Sequence, residues 1–254
     1  MTKIVGILNI TPDSFSDTGK FFDAGSAVDQ FNKMVKEGAD VVDIGAQSTR
    51  PGAAKLSAEK EWERLEPVLK AIDNNHGIEI SIDSFYPEVI KRSLDYNISI
   101  INDVSGFSLS EMKKLAASSG KQIIFMHSLT IPADKNILIP ESVDIIEYLS
   151  NWLESKISEL EEAGIKKDKM IFDPGIGFGK SAKQCEEIIM NIEKFKKYGV
   201  KILVGHSEKS FLTLFTDKPA GQRGDETKRF SSILAGKGVD YIRVHDVEGN
   251  KNAI

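Results

Sequence analysis

Short apolar segments rich in isoleucine and valine alternate with longer amphipathic segments along the chain. The short segments are apolar at successive positions, which is typical of strands buried on both faces of a parallel sheet. The pattern therefore predicts eight β-strands. They span Ile4–Leu8, Asp40–Ile44, Ile78–Ile82, Ile98–Ile101, Gln122–Met126, Met170–Phe172, Lys201–Val204 and Tyr241–Val244.

The segments between these strands carry apolar side chains at the spacing of amphipathic helices. In the first of them, Val28, Phe31 and Val35 share one face. Ser57 stands where a helix N-cap is expected, and Pro87 begins the third helix, where its missing N–H costs little. Besides the helix that begins at Pro87, the predicted helices span Ala24–Glu37, Ser57–Ile72, Glu111–Ala117, Val143–Glu161, Lys183–Lys196, Lys209–Phe215 and Thr227–Gly236.

Eight strand–helix units in succession predict an α/β protein with a (β/α)8 barrel, formed by residues 1–254 as a single domain. The competing fold is an open doubly wound sheet, which usually has a glycine-rich turn after the first strand. Here Asn9-Ile10-Thr11-Pro12-Asp13 follows that strand, which favours the barrel. The segment Val247–Ile254 is too short for a full final helix, so we expect that helix to be shortened or missing.

Every predicted strand ends in a side chain that ionises or forms strong hydrogen bonds. In a parallel barrel these ends share one rim, where active sites form. A single aspartate after a strand is often a helix cap, but capping does not explain eight polar ends on one rim. They are Asn9, Asp43, Asp83, Asn102 with Asp103, His127, Asp173, His206 with Ser207, and Arg243 with His245 and Asp246. The opposite strand ends carry no comparable set of side chains.

The polar rim divides into acceptors and cations. The carboxylate and amide oxygens suit a flat heterocycle with several N–H donors, such as a pterin or a purine. Arginine suits phosphate oxygens, and Asn9 offers an oxygen ligand to a Mg²⁺ ion carried by those phosphates. The acceptors are Asp83, Asn102, Asp173 and, as a further candidate, Asp43, and the cations are Arg50, Lys209, Arg243 and His245.

Three loops near this rim carry further chemistry. The long loops Thr11–Gly25 and Gln47–Ala54 have the length and polarity of lids over an active site. The glycine-rich segment Asp173–Ser181 is not a phosphate-binding P-loop, because proline stands at position 174 where that motif needs glycine. We expect its glycines to let the backbone approach a ligand that stacks on Phe178.

Composition narrows the functional classes. The chain has 33 Lys and Arg against 38 Asp and Glu, a formal charge of −5, which excludes the basic surface that nucleic acid requires. No apolar run is long enough to cross a membrane. Cys185 is the single cysteine, which excludes an intrachain disulfide and a cysteine-based metal site. The N-terminus leads directly into the first predicted strand, so we expect no signal peptide and a cytoplasmic enzyme of small molecules.

Two long segments resemble the signature motifs of the dihydropteroate synthase family. They are Ile7–Asp17 (ILNITPDSFSD) and Asp43–Gly52 (DIGAQSTRPG). Four shorter segments are similar to later motifs of that family, in the same order along the chain. They are Ser81–Asp83, Ile101–Asp103, Asp173–Lys180 and Ile242–Val247.

The resemblance implies a barrel enzyme of folate synthesis, a transferase that joins 6-hydroxymethyl-7,8-dihydropterin diphosphate to 4-aminobenzoate and releases pyrophosphate. It implies catalytic roles for Arg50, Lys209, Arg243 and His245. It further implies that Asp83, Asn102, Asp173 and Lys209 hold the pterin, that Asn9, Arg50, Arg243 and His245 hold the diphosphate and its Mg²⁺, and that Thr49, Pro51, Phe178 and Ser210 line the 4-aminobenzoate pocket, over which Phe15 and Asp17 close.

Three departures from the family pattern are visible. The family usually reads Ser-Arg-Lys-Ser where this chain has Ser207-Glu208-Lys209-Ser210, so a charge is reversed beside Lys209. Ala46-Gln47 replaces the usual Gly-Glu. The family's final helix contributes to a homodimer, and the short segment after the eighth strand counts against that dimer here.

Two alternatives stay open from the sequence. One is a methyltetrahydrofolate-dependent methyltransferase on the same barrel, which would share the aspartate and asparagine contacts to the ring but would have little use for the paired arginines. The other is a pterin-binding relative without catalytic activity, which Glu208 and the short C-terminal segment favour.

Overall fold

The computed structural model describes residues 1–11, 24–47, 55–72 and 77–254. Its eight strands are all parallel, pair in chain order and close into a barrel, with β1 beside β8. They are β1 Lys3–Asn9, β2 Val41–Gly45, β3 Glu79–Asp83, β4 Ile100–Asp103, β5 Gln122–Met126, β6 Met170–Asp173, β7 Lys201–Val204 and β8 Tyr241–Val244. The predicted (β/α)8 barrel is confirmed, and each predicted strand lies within two residues of an observed one.

Helices follow the strands and cover the outside of the barrel. They are α1 Ala24–Lys36, α2 Ala58–Ala71, α3 Pro87–Ser93, α4 Ser110–Ser119, α5 Ile145–Glu162, α6 Ala182–Met190, α7 Gly224–Gly236 and α8 Val247–Lys251. Short 3₁₀ helices span Lys167–Lys169, Ile192–Tyr198 and Ser210–Leu214. Among the residues that the structure describes, no helix has both the length and the apolar character of a membrane span.

Two predicted helices differ from those observed. The predicted helix Lys183–Lys196 is divided at Asn191, which leaves helical geometry and bonds its N–H to the carbonyls of the preceding turn. The predicted helix Lys209–Phe215 is a single 3₁₀ segment instead. The shortened final helix is confirmed: α8 has five residues, begins at the side-chain cap of Asp246, and buries Val247 completely.

Side chains inside the barrel form layers, because alternate residues of each strand point inward. The middle of the barrel is apolar and includes Val5, Val41, Ile100, Ile124, Ile171, Leu203 and Tyr241. Two residues further along the four even-numbered strands, the inward positions are Asp43, Asn102, Asp173 and Arg243. The register of the strands thus places four polar side chains in one layer, directly above the apolar core.

A second polar layer lies at the opposite mouth of the barrel. The prediction that the strand ends there carry no comparable set of polar side chains is therefore wrong. Glu79 accepts hydrogen bonds from Lys3 Nζ at 2.8 Å and from Gln122 Nε2 at 3.2 Å, and Gln122 accepts one from Lys201 Nζ at 3.1 Å. Both ammonium groups lie within 6 Å of the Tyr241 ring centre. These residues lie in or beside segments that are otherwise apolar in the sequence. They are accommodated there because their polar groups interact with one another.

Candidate active site

One cavity of about 1100 Å³ opens at the carboxyl ends of the strands. It is lined by nine of the site residues that the sequence predicts: Asn9, Asp83, Asn102, Asp173, Phe178, Lys209, Ser210, Arg243 and His245. The other predicted site residues, Phe15, Asp17, Thr49, Arg50 and Pro51, and most of both predicted lids lie outside the described residues. The structure therefore brings together every predicted site residue that it describes.

Three lining residues of the cavity, Asp83, Asn102 and Arg243, belong to a hydrogen-bonded cluster centred on Asp43. Its Oδ2 accepts from Arg243 Nε at 2.6 Å and from Asn102 Nδ2 at 3.0 Å. The Arg243 Nη2 donates to Asp83 Oδ2 at 3.0 Å. Asp43 is fully buried and Asn102 is nearly so. One guanidinium is thus shared between two carboxylates of neighbouring strands, and it holds them in a fixed geometry.

Burial and neighbouring charges shift the pKa values of this cluster. Burial, with a further contribution from Asp43, raises the pKa of Asp83, and Arg243 opposes that shift. Burial alone would lower the pKa of Arg243, but Asp43 and Asp83 outweigh it and raise the pKa above its ordinary value. Arg243 therefore stays charged, while burial and the neighbouring Asp43 disfavour the charged form of Asp83.

In the sequence, the acceptors and the cations of the rim form two separate sets, and the structure shows that the two sets meet. The Arg243 guanidinium lies among the acceptors, bonded to Asp43 and Asp83. Asp43, only a further candidate in the sequence, is the residue that joins Arg243 to Asn102. Its position at the end of β2 indicated that Asp43 was a candidate, but the sequence does not show which strand ends are in contact.

The glycine-rich loop after β6 forms another wall of the cavity. Asp173 Oδ1 accepts from the Gly175 N–H at 2.8 Å. Burial raises the pKa of Asp173, although this hydrogen bond and the charges of Lys209 and Arg243 act against it. Gly175 has φ +69°, and a Cβ there would collide with the carbonyl oxygen of His127. Glycine is required at this position because the loop backbone packs directly against the end of β5.

Lys180 fixes the shape of that loop from behind. Its Nζ donates to the carbonyls of Gly175 at 3.1 Å and Phe178 at 3.0 Å, and lies 2.8 Å from Nδ1 of His127. Burial lowers the pKa of Lys180 to about 7 and, together with Lys180, lowers that of His127 to about 3. Lys180 was not predicted to be part of the site. A lysine suits the end of the glycine-rich motif because its ammonium group has three N–H donors for these acceptors.

Lys209 and Phe178 face each other across the cavity. The Lys209 Nζ lies 4.5 Å from the centre of the Phe178 ring, within the range of a cation–π contact. Ser210 begins the 3₁₀ segment beyond Lys209, is exposed, and also lines the cavity. An aromatic face and a cation are therefore offered to the same ligand.

His245 is oriented by Ser207, a residue that sequence reasoning did not assign to the site. The His245 backbone N–H donates to Ser207 Oγ at 3.3 Å, and the same Oγ lies 2.9 Å from Nδ1 of the imidazole. A hydroxyl that accepts the backbone N–H has its own proton to donate to Nδ1. When Nδ1 accepts this proton, Nε2 carries the ring N–H and can donate to a ligand oxygen.

Asn9 lies at the end of β1 and lines the same cavity. Within the described residues, no group of three or more His, Cys, Asp or Glu side chains is arranged to hold a metal ion. An amide oxygen suits Mg²⁺, which commonly uses few protein ligands and completes its shell with water and phosphate oxygens. Among the described residues, Asn9 thus offers one oxygen ligand, which fits a Mg²⁺ ion that arrives with a phosphorylated ligand.

Comparison with known proteins supports this interpretation. Residues 5–245 match the model of the family described as pterin binding enzyme. The chain is 38% identical over 254 residues to a dihydropteroate synthase of Clostridium beijerinckii, covering 99% of this chain and 91% of that protein.

Two solved structures share the fold. The dihydropteroate synthase of Anaplasma phagocytophilum with bound 6-hydroxymethylpterin-monophosphate has a TM-score of 0.91 and 35% identity, covering 100% of this chain and 96% of that one. That of Xanthomonas albilineans with 4-aminobenzoic acid has a TM-score of 0.91 and 30% identity, covering 99% and 90%.

The chain also matches larger relatives. It spans 58% of the length of the folate synthesis bifunctional proteins of three Chlamydia species, with 39% identity over 260 residues to that of Chlamydia caviae. The family match over nearly the whole chain and the similarity to proteins of which the chain covers about nine tenths lead to one conclusion. This chain belongs to the pterin-binding enzyme family and, within it, to the dihydropteroate synthases.

Proposed function

We propose that this protein condenses 6-hydroxymethyl-7,8-dihydropterin diphosphate with 4-aminobenzoate and releases 7,8-dihydropteroate and pyrophosphate. The observation that carries the proposal is the composition of one cavity. The acceptors that line it are the buried Asn102 and Asp173 and the half-buried Asp83, and the cations Lys209 and Arg243 line it as well. The related structures that hold a pterin phosphate and 4-aminobenzoic acid support this assignment of ligands.

The base of the cavity suits the pterin ring. Asp83, Asn102 and Asp173 present oxygens to ring N–H and amino groups, and such bonds are strong because the site is shielded from water. A ring N–H that binds Asp83 competes with Arg243 Nη2 for the same oxygen. Arg243 keeps its Nε bond to Asp43 in that event, so its Nη atoms become available to the diphosphate while the side chain stays anchored.

The reaction breaks the bond between the exocyclic carbon of the pterin and the diphosphate oxygen, and negative charge collects on the departing pyrophosphate. Arg243 and the Nε2–H of His245 stabilise that charge with donors that are already in place. Arg50, which lies outside the described residues, is proposed to act with them. Asn9 is proposed to hold Mg²⁺, which supplies further neutralisation of the pyrophosphate charge when it is bound.

The amine of 4-aminobenzoate forms the new carbon–nitrogen bond and loses its proton to solvent. An arylamine is a neutral nucleophile, so no strong general base is needed. Phe178 offers a ring face to the arene, next to the Lys209 cation. Ser210 lines the same side of the cavity.

The test is pyrophosphate release by the purified protein with the pterin diphosphate, with and without 4-aminobenzoate, in Mg²⁺ buffer. The proposal predicts release that depends on the arylamine and equals the dihydropteroate formed. Binding of the pterin without any release would instead identify a pterin-binding protein without catalytic activity. Failure to bind the pterin would contradict the proposal.

A further inference from the structure

Glu208, one of the positions at which this chain departs from the family pattern, is held by hydrogen bonds to its carboxylate and from its backbone N–H. Its Oε2 accepts from the backbone N–H groups of Gly221 at 2.8 Å and Arg223 at 3.0 Å. Its own N–H donates to Thr227 Oγ1 at 3.2 Å. The carboxylate therefore ties the segment after β7 to the loop that leads into α7.

Arg223 completes the connection in the opposite direction. The side chain is buried, with 8% of its surface exposed. Its Nη1 donates to the carbonyl of Lys209 at 3.1 Å and lies 3.5 Å from that of Glu208, while Nε donates to the Lys218 carbonyl at 2.8 Å. A buried guanidinium with three backbone carbonyls as acceptors fixes the path of the chain on both sides of the contact.

The backbone at Glu208 is in a conformation that needs this support. Its φ of +60° lies in the left-handed region, which residues other than glycine adopt infrequently and at some energetic cost. The turn made there sets the direction of Lys209, whose Nζ lies 4.5 Å from the Phe178 ring centre and lines the cavity. The strained turn at Glu208, which is held by its own carboxylate and by the Arg223 guanidinium, thus lies directly before Lys209.

We propose that Glu208 and Arg223 form a latch that positions Lys209 for pterin binding. Both are positioning residues, since they act through the Lys209 backbone and not on the ligand. The kinetic measurements of this test rest on the proposed function, whereas the pterin affinity tests the latch separately. It also explains how a glutamate is accommodated beside Lys209: its carboxylate, unlike an arginine side chain, accepts the two backbone N–H groups.

The experiment separates positioning from stability with a set of Glu208 variants. Glu208→Gln keeps an acceptor oxygen for both N–H groups. Glu208→Gly removes the acceptor but also relieves the strain at φ +60°, so the fold is retained while the latch is lost. Glu208→Arg reverses the charge, and Asp217→Ala alters an exposed carboxylate of the neighbouring loop as the matched control.

Each variant is assayed for melting temperature by circular dichroism, for 6-hydroxymethylpterin affinity by calorimetry, and for kcat and KM by pyrophosphate release. The latch predicts that Glu208→Gly and Glu208→Arg weaken pterin binding about tenfold. This is less than the direct contribution of two hydrogen bonds to a carboxylate, because their loss reaches the ligand only through the position of Lys209. Glu208→Gln and the control should stay within about threefold of the wild type.

Wild-type pterin affinity in folded Glu208→Gly would overturn the latch, as would equal loss of affinity in Glu208→Gln and Glu208→Gly. If the wild type binds the pterin but releases no pyrophosphate, the proposed function fails while the affinity series still decides the role of Glu208. Arg223→Met gives an independent test, because it removes the other half of the latch and should weaken pterin binding to a similar extent.

Discussion

Asp43 provides the sharpest test of the buried cluster, because it contacts Arg243 and Asn102 but does not line the cavity. We consider Asp43→Asn, which preserves the shape of the side chain. In the wild type, one fully buried oxygen accepts both the 2.6 Å bond from Arg243 and the 3.0 Å bond from Asn102. The asparagine oxygen keeps the geometry of these bonds but loses the negative charge that balances Arg243.

The magnitude follows from the contacts that change. A hydrogen bond to a charged group contributes roughly 1.5–3 kcal/mol, and the neutral bond to Asn102 is kept. The Arg243 side chain is about a fifth exposed, so solvent screens part of the lost interaction. We therefore expect the free energy of unfolding to fall by about 2 kcal/mol.

Catalysis should suffer as well, because Arg243 loses the anchor that holds it while Nη2 leaves Asp83. We expect kcat/KM to fall by at least about tenfold, which corresponds to about 1.4 kcal/mol of transition-state stabilisation. The assays are urea denaturation and pyrophosphate release. Asp103→Asn is the matched control, since Asp103 is equally buried but bonds the backbone N–H groups of Ser105 and Phe107.

The control should lose stability while pterin affinity stays near that of the wild type. If Asp43→Asn unfolds at the same urea concentration as the wild type and turns over at the same rate, the guanidinium is not held as described. A loss of stability in both variants with unchanged kcat/KM in both would assign Asp43 to folding alone.

Further predictions concern the donors, the acceptors and one buried acid. Arg243→Ala should lower kcat/KM by roughly a hundredfold, the effect of removing a transition-state donor, and less than a threefold change in steady-state kinetics would assign Arg243 another role. Asp173→Asn should mainly weaken pterin binding, because an amide presents donors to ring donors, and unchanged affinity by calorimetry would count against its placement. Lys180→Met should raise the KM for 4-aminobenzoate by loosening the loop that carries Phe178, while exposed Lys183→Met serves as its control; equal KM values would show that the loop keeps its shape without the ammonium. Burial raises the pKa of Glu61 to about 7 against the opposing effects of Ser84 and Arg64. The folded state then binds more protons than the unfolded state between about pH 4.5 and 7, so stability falls as pH rises through that window, by up to about 3 kcal/mol. Glu61→Gln should remove this slope in urea titrations at a series of pH values, and a slope that persists would exclude Glu61 as its source.

The fold was predictable because strand identity depends on local pattern. Segments such as Ile4–Leu8 are apolar at successive positions, and this pattern is typical of strands that are buried on both faces of a parallel sheet. The helix type after β7 was not predictable in the same way. Segment 210–214 has helical periodicity but adopts the tighter 3₁₀ form, and over so short a segment the apolar pattern does not distinguish the two helix types.

The site residues were predictable from their positions at strand ends, but their partners were not. Asp43, Asp83 and Arg243 come from strands that are distant in sequence, and their contacts depend on the register of the closed barrel. Glu208 shows the same limit: the sequence shows a reversed charge beside Lys209, while its hydrogen bonds to residues 221 and 223 follow from how the loops pack.

The central claim is that Asp83, Asn102 and Asp173, held in place by the polar layer at the carboxyl ends of the strands, recognise the pterin. Calorimetric titration of 6-hydroxymethylpterin into the wild type and into the double variant Asn102→Ala with Asp173→Asn tests it most directly. We predict one binding site per chain in the wild type and a loss of affinity of at least a hundredfold in the double variant, as removal of two buried acceptors at roughly 1.5 kcal/mol each implies. Equal affinity in the two folded proteins would contradict the claim.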